Sequence, residues 1–209
     1  MVFAIIVGAL TAYLLGNLNG SVFISTLVAG DDVRKHGSGN AGLTNFFRSY
    51  GGASTFLVMM VDMIKTVLAC LSCSLILQPH GYGREGLMLG AVAVSLGHDF
   101  PALLGFKGGK GILCGLTVAF ILDWRIGVAI LVAFIIAFAI TRYVSLGSVI
   151  GSFLFAVGFG VLHYDNLYIM IGGIFLGALA IFMHRGNIVR LCKGKESKVH
   201  LIHREQNKE

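Results

Sequence analysis

Three polar clusters interrupt a chain that is otherwise almost continuously apolar. The first runs Gly37-Ser38-Gly39-Asn40-Ala41-Gly42-Leu43-Thr44-Asn45 and continues to Arg48. The second joins Gly97-His98 to Lys107-Gly108-Gly109-Lys110-Gly111, and the third is His184-Arg185-Gly186-Asn187-Ile188-Val189-Arg190. Such groups are costly in hydrocarbon, so a membrane chain that keeps them uses them. Their chemistry is that of an anion site. Glycines let backbone N–H groups converge on an oxyanion, hydroxyls add donors, and Lys or Arg neutralises phosphate. Arg48 can pair a phosphate bidentately.

Each cluster also has a plainer reading. The first can be an ordinary loop with a helix cap at Asn45. In the second, Lys107 and Lys110 can be anchors at a membrane edge, although glycines on both sides of Lys110 favour close approach by a ligand. It is not a P-loop: Leu104 and Gly111 stand where that motif needs Gly and Ser or Thr. His98, with Pro101 just after it, reads as a hydrogen-bonded structural residue. In the third cluster His184, Asn187 and Ile188 fall at i, i+3 and i+4, so His184 and Asn187 share a helix face. A fourth segment, Arg142-Tyr143-Val144-Ser145-Leu146-Gly147-Ser148, puts Ser145 where it can cap the next helix and Ser148 on the same face.

The chain has 209 residues, 56% hydrophobic and 12% charged, with a mean hydropathy of +0.84. Soluble domains carry about 25% charged residues, so an all-α integral membrane protein is expected, forming a single domain over 1–209. The net charge of +6 fits anionic lipid or substrate better than nucleic acid. Met1 to Leu10 lacks a basic start and a clear cleavage site, so it reads as an uncleaved first span. Cys70 and Cys73 form a C-x-x-C inside an apolar stretch with no neighbouring cation, which favours packing over redox chemistry. No carboxylate cluster fits a metal, and neither a metal nor a cofactor is expected.

Spans are expected at 2–29, 53–78, 86–105, 112–122, 126–141, 145–162 and 166–184, with a short polar tail at 193–209 that is frayed or interfacial. The stretch 112–141 is divided at Asp123-Trp124-Arg125, because a charged pair at the bilayer centre would be costly. With seven spans, thirteen Lys and Arg residues fall on the side of loops 30–52, 106–111 and 142–144 and the tail, against Arg84 and Arg125 on the other. That bias puts the N-terminus outside and the C-terminus and all clusters in the cytoplasm. Asp62 and Lys65, at i and i+3, form an intramembrane ion pair expected to be structural, with support of the pocket floor as the alternative, and Asn17 and Asn19 are expected to face the bundle interior.

In order and spacing the clusters resemble those of the bacterial acyl-phosphate:glycerol-3-phosphate acyltransferase (PlsY) family. The resemblance rests on Gly37 to Asn40, Thr44-Asn45 and Arg48; Gly97-His98, Phe100-Pro101 and Phe106 to Gly111; and His184-Arg185, Asn187-Ile188, Arg190-Leu191, Gly194 and Glu196. It spans nearly the whole chain. One departure is Ile112-Leu113-Cys114, where the family tends to Val-Ala-Thr, which removes a hydroxyl near the second motif. The resemblance implies a multi-pass enzyme of the bacterial inner membrane. It would move a fatty acyl group from acyl phosphate to the first hydroxyl of glycerol 3-phosphate, giving lysophosphatidic acid and phosphate for phospholipid synthesis. Catalytic roles would fall to His184, Asn187, Lys110 and Ser38. Substrate contacts would fall to these and to Gly39, Asn40, Thr44, Asn45, Arg48, His98, Lys107, Gly108, Gly109, Ser145 and Ser148. The partners would be the two substrates and the lipid bilayer, without nucleic acid, and a monomer would suffice. The alternative is a small organic-phosphate transporter, whose site would usually lie near the midplane between repeats. No repeat is evident here.

Overall fold

The computed structural model describes residues 1–199. Among the described residues there are ten α-helices and no strand. They are α1 (Val2–Asn17), α2 (Gly20–Ala29), α3 (Leu43–Tyr50), α4 (Gly52–Leu77), α5 (Gly83–Asp99), α6 (Ile112–Leu122), α7 (Trp124–Thr141), α8 (Val144–Leu162), α9 (Leu167–Met183) and α10 (Arg185–Cys192). Helix bounds lie within a few residues of most of the apolar segments expected, but 2–29 is divided into α1 and α2, and 86–105 runs past the end of α5 at Asp99.

Five segments are long and apolar enough to cross a bilayer: Val2–Ala29, Gly52–His80, Gly83–Leu104, Trp124–Thr141 and Val144–Leu162. The pair α9 and α10, bent by 55°, makes a sixth when counted as one broken span. The division at Asp123 is present: its carboxylate accepts the Arg125 N–H, so one extended residue ends α6 and caps α7. At 11 residues α6 rises about 16 Å, roughly half a hydrocarbon core, so length alone does not make it a span.

The outward surface of the bundle is apolar, with Phe3 80% and Ile140 78% exposed. Soluble proteins rarely present such a continuous surface, and lipid is the solvent that suits it. Inside, Val118, Ile126, Phe155, Phe159 and Ile169 form the main core between α6, α7, α8 and α9. Where α1 meets α5 the contact is backbone to backbone. A Cβ at Gly97 would collide with the Tyr13 carbonyl, and one at Gly16 would sit 2.5 Å from the Val94 carbonyl. Small residues thus bring the helices close where no water-driven force operates between them.

Asn17 and Asn19 are buried at the α1–α2 break, as expected. Asn17 donates to Tyr13 O and accepts from Leu103 N; Asn19 donates to Ala41 O and caps α2. Three features depart from expectation. Loop 30–52 contains α3, held by Phe46 packed on Ile24, Val33 and Val58. Ser145 is not a cap: α8 starts one residue earlier, after Tyr143, and the buried Ser145 hydroxyl has no hydrogen-bond partner. The tail is not frayed through Val199, whose N–H donates to Arg142 O at 3.1 Å. The remaining tail, 200–209, lies outside the described residues.

Candidate active site

A cavity of about 430 Å³ opens where loop 30–52, loop 105–111, the α7–α8 turn and the tail meet. At its polar end it is lined by Ser38, Asn40, Thr44, Asn45 and Arg48; by His98 and Lys110; by Ser145 and Ser148; and by His184 and Asn187. All four polar segments therefore converge on one cavity. Its other limb is apolar, formed by Ile130, Leu131 and Phe134 of α7, Phe155 of α8, and Leu176 and Leu179 of α9. Ser95 and Asp99, also in the lining, were not expected from sequence.

The first loop is built by its own side chains. Asp32 caps the short 3-10 turn and takes both Nε and Nη2 of Arg34, while Arg34 Nη1 donates to Leu104 O at 2.8 Å. Asn45 is committed to the loop rather than free for a ligand. Its Oδ1 accepts Ser38 N at 2.9 Å, and its Nδ2 donates to Val33 O and His36 O. Gly37 and Gly39 take left-handed φ of 54° and 71°, which allows the tight path around Asn45. Asn40 reaches Gly108 O at 3.3 Å, tying the first loop to the second. Asp31, held well below the usual carboxylate range by His36 and Lys35, is spent on that surface contact.

Four expected residues do not line the cavity. Gly108 and Gly109 form its supporting backbone: a Cβ on Gly108 would strike His98 O, and one on Gly109 would strike His98 Nε2. Gly39 is an exposed turn residue and Lys107 projects to the surface, with its carbonyl accepting from Arg34.

Lys110 crosses the cavity mouth to Asn187, with Nζ donating to Oδ1 at 2.5 Å. Burial, followed by the Arg190 and Arg48 charges, pushes the Lys110 ammonium below its ordinary pKa despite nearby Glu196. Asn187 Nδ2 donates onward to Glu196 Oε1 at 2.8 Å, and Arg190 Nε to Glu196 Oε2 at 2.7 Å. Burial opposes the charged Glu196 carboxylate, but hydrogen bonds from Asn187 and Arg190 outweigh it and hold its pKa low. Ser145 lies beside this carboxylate without hydrogen-bond geometry. Arg48 Nη2 donates to Ser197 O at 3.0 Å. The tail thus straps across the cavity and engages Asn187, Arg190 and Arg48.

His184 sits at the bend between α9 and α10, its Nδ1 2.8 Å from Ala180 O. A carbonyl only accepts, so Nδ1 carries hydrogen and, in the neutral ring, Nε2 is left as an acceptor. The Asp99 carboxylate is buried at the cavity wall near Gly111, and its Oδ1 has no hydrogen-bond partner. The opposite end of the bundle holds a separate polar group. There Asp123 pairs with Arg125 at 2.6 Å, His163 Nε2 lies 3.2 Å from Asp123 Oδ2 without hydrogen-bond geometry, and Arg84 reaches His163 Nδ1.

Convergent donors around an anion-sized space, continuous with an apolar limb, suit a polar phosphate and an acyl chain together. The chain as a whole is similar to known proteins. The family model for glycerol-3-phosphate acyltransferase matches residues 6–194. A glycerol-3-phosphate acyltransferase of Clostridioides difficile (strain 630) is 38% identical over 204 residues, covering 95% of this chain and 97% of its own. One from Finegoldia magna is 39% identical over 199 residues, covering 93% and 96%. The crystal structure of PlsY, an integral membrane glycerol 3-phosphate acyltransferase, in its glycerol 3-phosphate form superposes with a TM-score of 0.81 at 32% identity, covering 94% of this chain and 96% of that one. Its lysophosphatidic acid form gives 0.77 at 30% identity, covering 94% and 95%.

Proposed function

This chain belongs to the glycerol-3-phosphate acyltransferase family, and from that membership we propose that it moves a fatty acyl group from acyl phosphate to the first hydroxyl of glycerol 3-phosphate. The products are lysophosphatidic acid and phosphate, an opening step of phospholipid synthesis. The observation that carries the reading is one cavity with a cationic, amide-rich end and an apolar limb between α7, α8 and α9.

Acyl phosphate is a mixed anhydride with a good leaving group, so the chemistry needs no covalent enzyme nucleophile. The glycerol oxygen attacks the acyl carbon, the carbon–oxygen bond to phosphate breaks, and the hydroxyl proton passes to a phosphate oxygen of the departing group. In this reading Lys110 and Arg48 bind the phosphates and offset the repulsion between two anionic substrates. Ser38, Asn187 and Ser148 add hydrogen bonds. His184 Nε2, free to accept, orients the attacking hydroxyl. Asn45, Gly108 and Gly109 shape the loops that hold these groups. Positioning of this kind supplies roughly 7–11 kcal/mol of a barrier, with charge stabilisation adding to it.

The chain acts in the inner membrane as a single domain with seven crossings, the N-terminus outside and the active site cytoplasmic. Support comes from the four polar segments meeting at one end of the bundle while Arg84, Asp123, Arg125 and His163 meet at the other. Counting α6 with α7 as a crossing and its return satisfies both, and a single chain forms the whole cavity. Purified protein in vesicles, given labelled glycerol 3-phosphate with and without palmitoyl phosphate, tests the function. Label entering lysophosphatidic acid only with the donor supports it. Counterflow of label without a donor, and no lipid product, would mark a transporter instead.

A further inference from the structure

Beneath the second loop lies a buried network that the reaction described above does not use. Lys65 of α4 and Asp62, one turn before it, are both about 2% exposed, and His98 of α5 is 5% exposed. Lys65 Nζ is 2.7 Å from Asp62 Oδ1, 2.7 Å from Leu18 O, 2.8 Å from His98 Nδ1 and 3.3 Å from Gly16 O. An ammonium has three hydrogens and no acceptor. The three short contacts use all three, and the carbonyl at 3.3 Å shares one. Asp62 Oδ1 also takes Gly20 N at 3.1 Å, and at 3.7 Å from His98 Nδ1 it is too far to be that nitrogen's acceptor. His98 Nδ1 therefore faces a group that only donates, and it must be the bare nitrogen of the ring. The ring hydrogen is left on Nε2.

That nitrogen lies at the glycine loop. His98 lines the cavity, its Nε2 edge lies against Gly109 next to Lys110, and its carbonyl accepts Gly109 N at 3.0 Å. No described protein group accepts from Nε2. We propose that Lys65 fixes the tautomer of His98, so that His98 presents Nε2–H beside the glycine loop as a hydrogen-bond donor to a substrate phosphate oxygen. Lys65 is then a positioning residue acting through His98, and Asp62 holds Lys65. The assignment of a phosphate as acceptor rests on the acyltransferase reading above; the tautomer does not. The arrangement also explains why the ion pair sits at this depth. One ammonium ties the α1–α2 break, α4 and α5 together and sets the donor pattern of the imidazole at the same time.

The test is long-range proton–nitrogen NMR of ring-labelled histidine in the detergent-solubilised full chain, with the His98 signals assigned by their loss in His98→Gln. The expected spectrum shows a bare Nδ1 and a protonated Nε2, whose signals move when glycerol 3-phosphate is added. A protonated Nδ1 in the free protein would overturn the tautomer lock, whether or not the protein turns over. Unmoved signals at a glycerol 3-phosphate concentration that saturates turnover in the same preparation would overturn the contact with substrate. In Lys65→Met the KM for glycerol 3-phosphate is expected to rise roughly tenfold, the size of one lost hydrogen bond, with kcat changed less than threefold. A folded variant with unchanged KM would overturn the positioning role. Where Lys65→Met gives no folded protein, the wild-type spectra decide alone.

Discussion

Lys110 and Asn187, 77 positions apart in the chain, meet at 2.5 Å across the cavity mouth. This contact joins the second polar cluster to the third, and Asn187 passes it on to Glu196 of the tail. Lys110 is held by an amide rather than by a carboxylate, so its charge is left available to an anion.

The depressed pKa of Lys110 gives a pH prediction. Burial and the Arg190 and Arg48 charges disfavour the ammonium in the free protein, so Lys110 loses its proton below the ordinary lysine value of 10.5. A lowered lysine pKa weakens stability in full below the folded value, and that cost declines as pH rises from there and is gone above the unfolded value of 10.5. Affinity for glycerol 3-phosphate runs the opposite way and declines over the same range. Measured against pH, kcat/KM should fall on an alkaline limb in wild type, and Lys110→Arg should move that limb upward. An identical limb in both would separate it from Lys110. Lys110→Ala should cost at least tenfold in kcat/KM.

Glu196 gives the acid counterpart. Its folded pKa is lowered, so its contribution is present above the ordinary value of 4.5 and is lost as pH falls through the lower folded value. Its side chain is only 6% exposed but its Arg190 partner is nearly half exposed, so the contribution is about 1 kcal/mol. Glu196→Gln should release the tail strap at neutral pH, seen as faster amide exchange at Val199. Exchange equal to that of wild type would show that the strap is held by Arg48 and Arg142 alone.

His184 separates two accounts of the proton. If a departing phosphate oxygen takes it, His184→Gln lowers turnover without removing a pH-rate limb near neutrality. Loss of such a limb, with glycerol 3-phosphate binding intact, would make His184 the general base.

Gly97→Ala tests the close helix contact. The added methyl has backbone, not a flexible side chain, to displace at Tyr13 O, and overpacking of this kind costs typically 1–3 kcal/mol. Thermal unfolding in detergent should shift down correspondingly. An unchanged midpoint would mean that α1 and α5 separate easily.

The long helices were legible because their apolar runs are local properties. The division at Asp123 was legible because its charge has one inexpensive depth. The three clusters were legible because glycines beside cations in hydrocarbon are rare. What escaped depends on distant partners. Helix α3 is eight residues long, too short to stand alone, and exists because Phe46 is buried against α2 and α4. The tail strap depends on Arg142, whose left-handed φ of 63° turns its carbonyl to Val199. Asn45 lines the cavity and is also a loop clamp, a role set by its distant partners Ser38, Val33 and His36.

The most direct measurement is lysophosphatidic acid formation by purified protein given glycerol 3-phosphate with either palmitoyl phosphate or palmitoyl-CoA. The account predicts product from the acyl phosphate alone, reduced at least tenfold in Lys110→Ala and Arg48→Ala under subsaturating substrate. Product from the thioester, or wild-type rates in both variants, would contradict it.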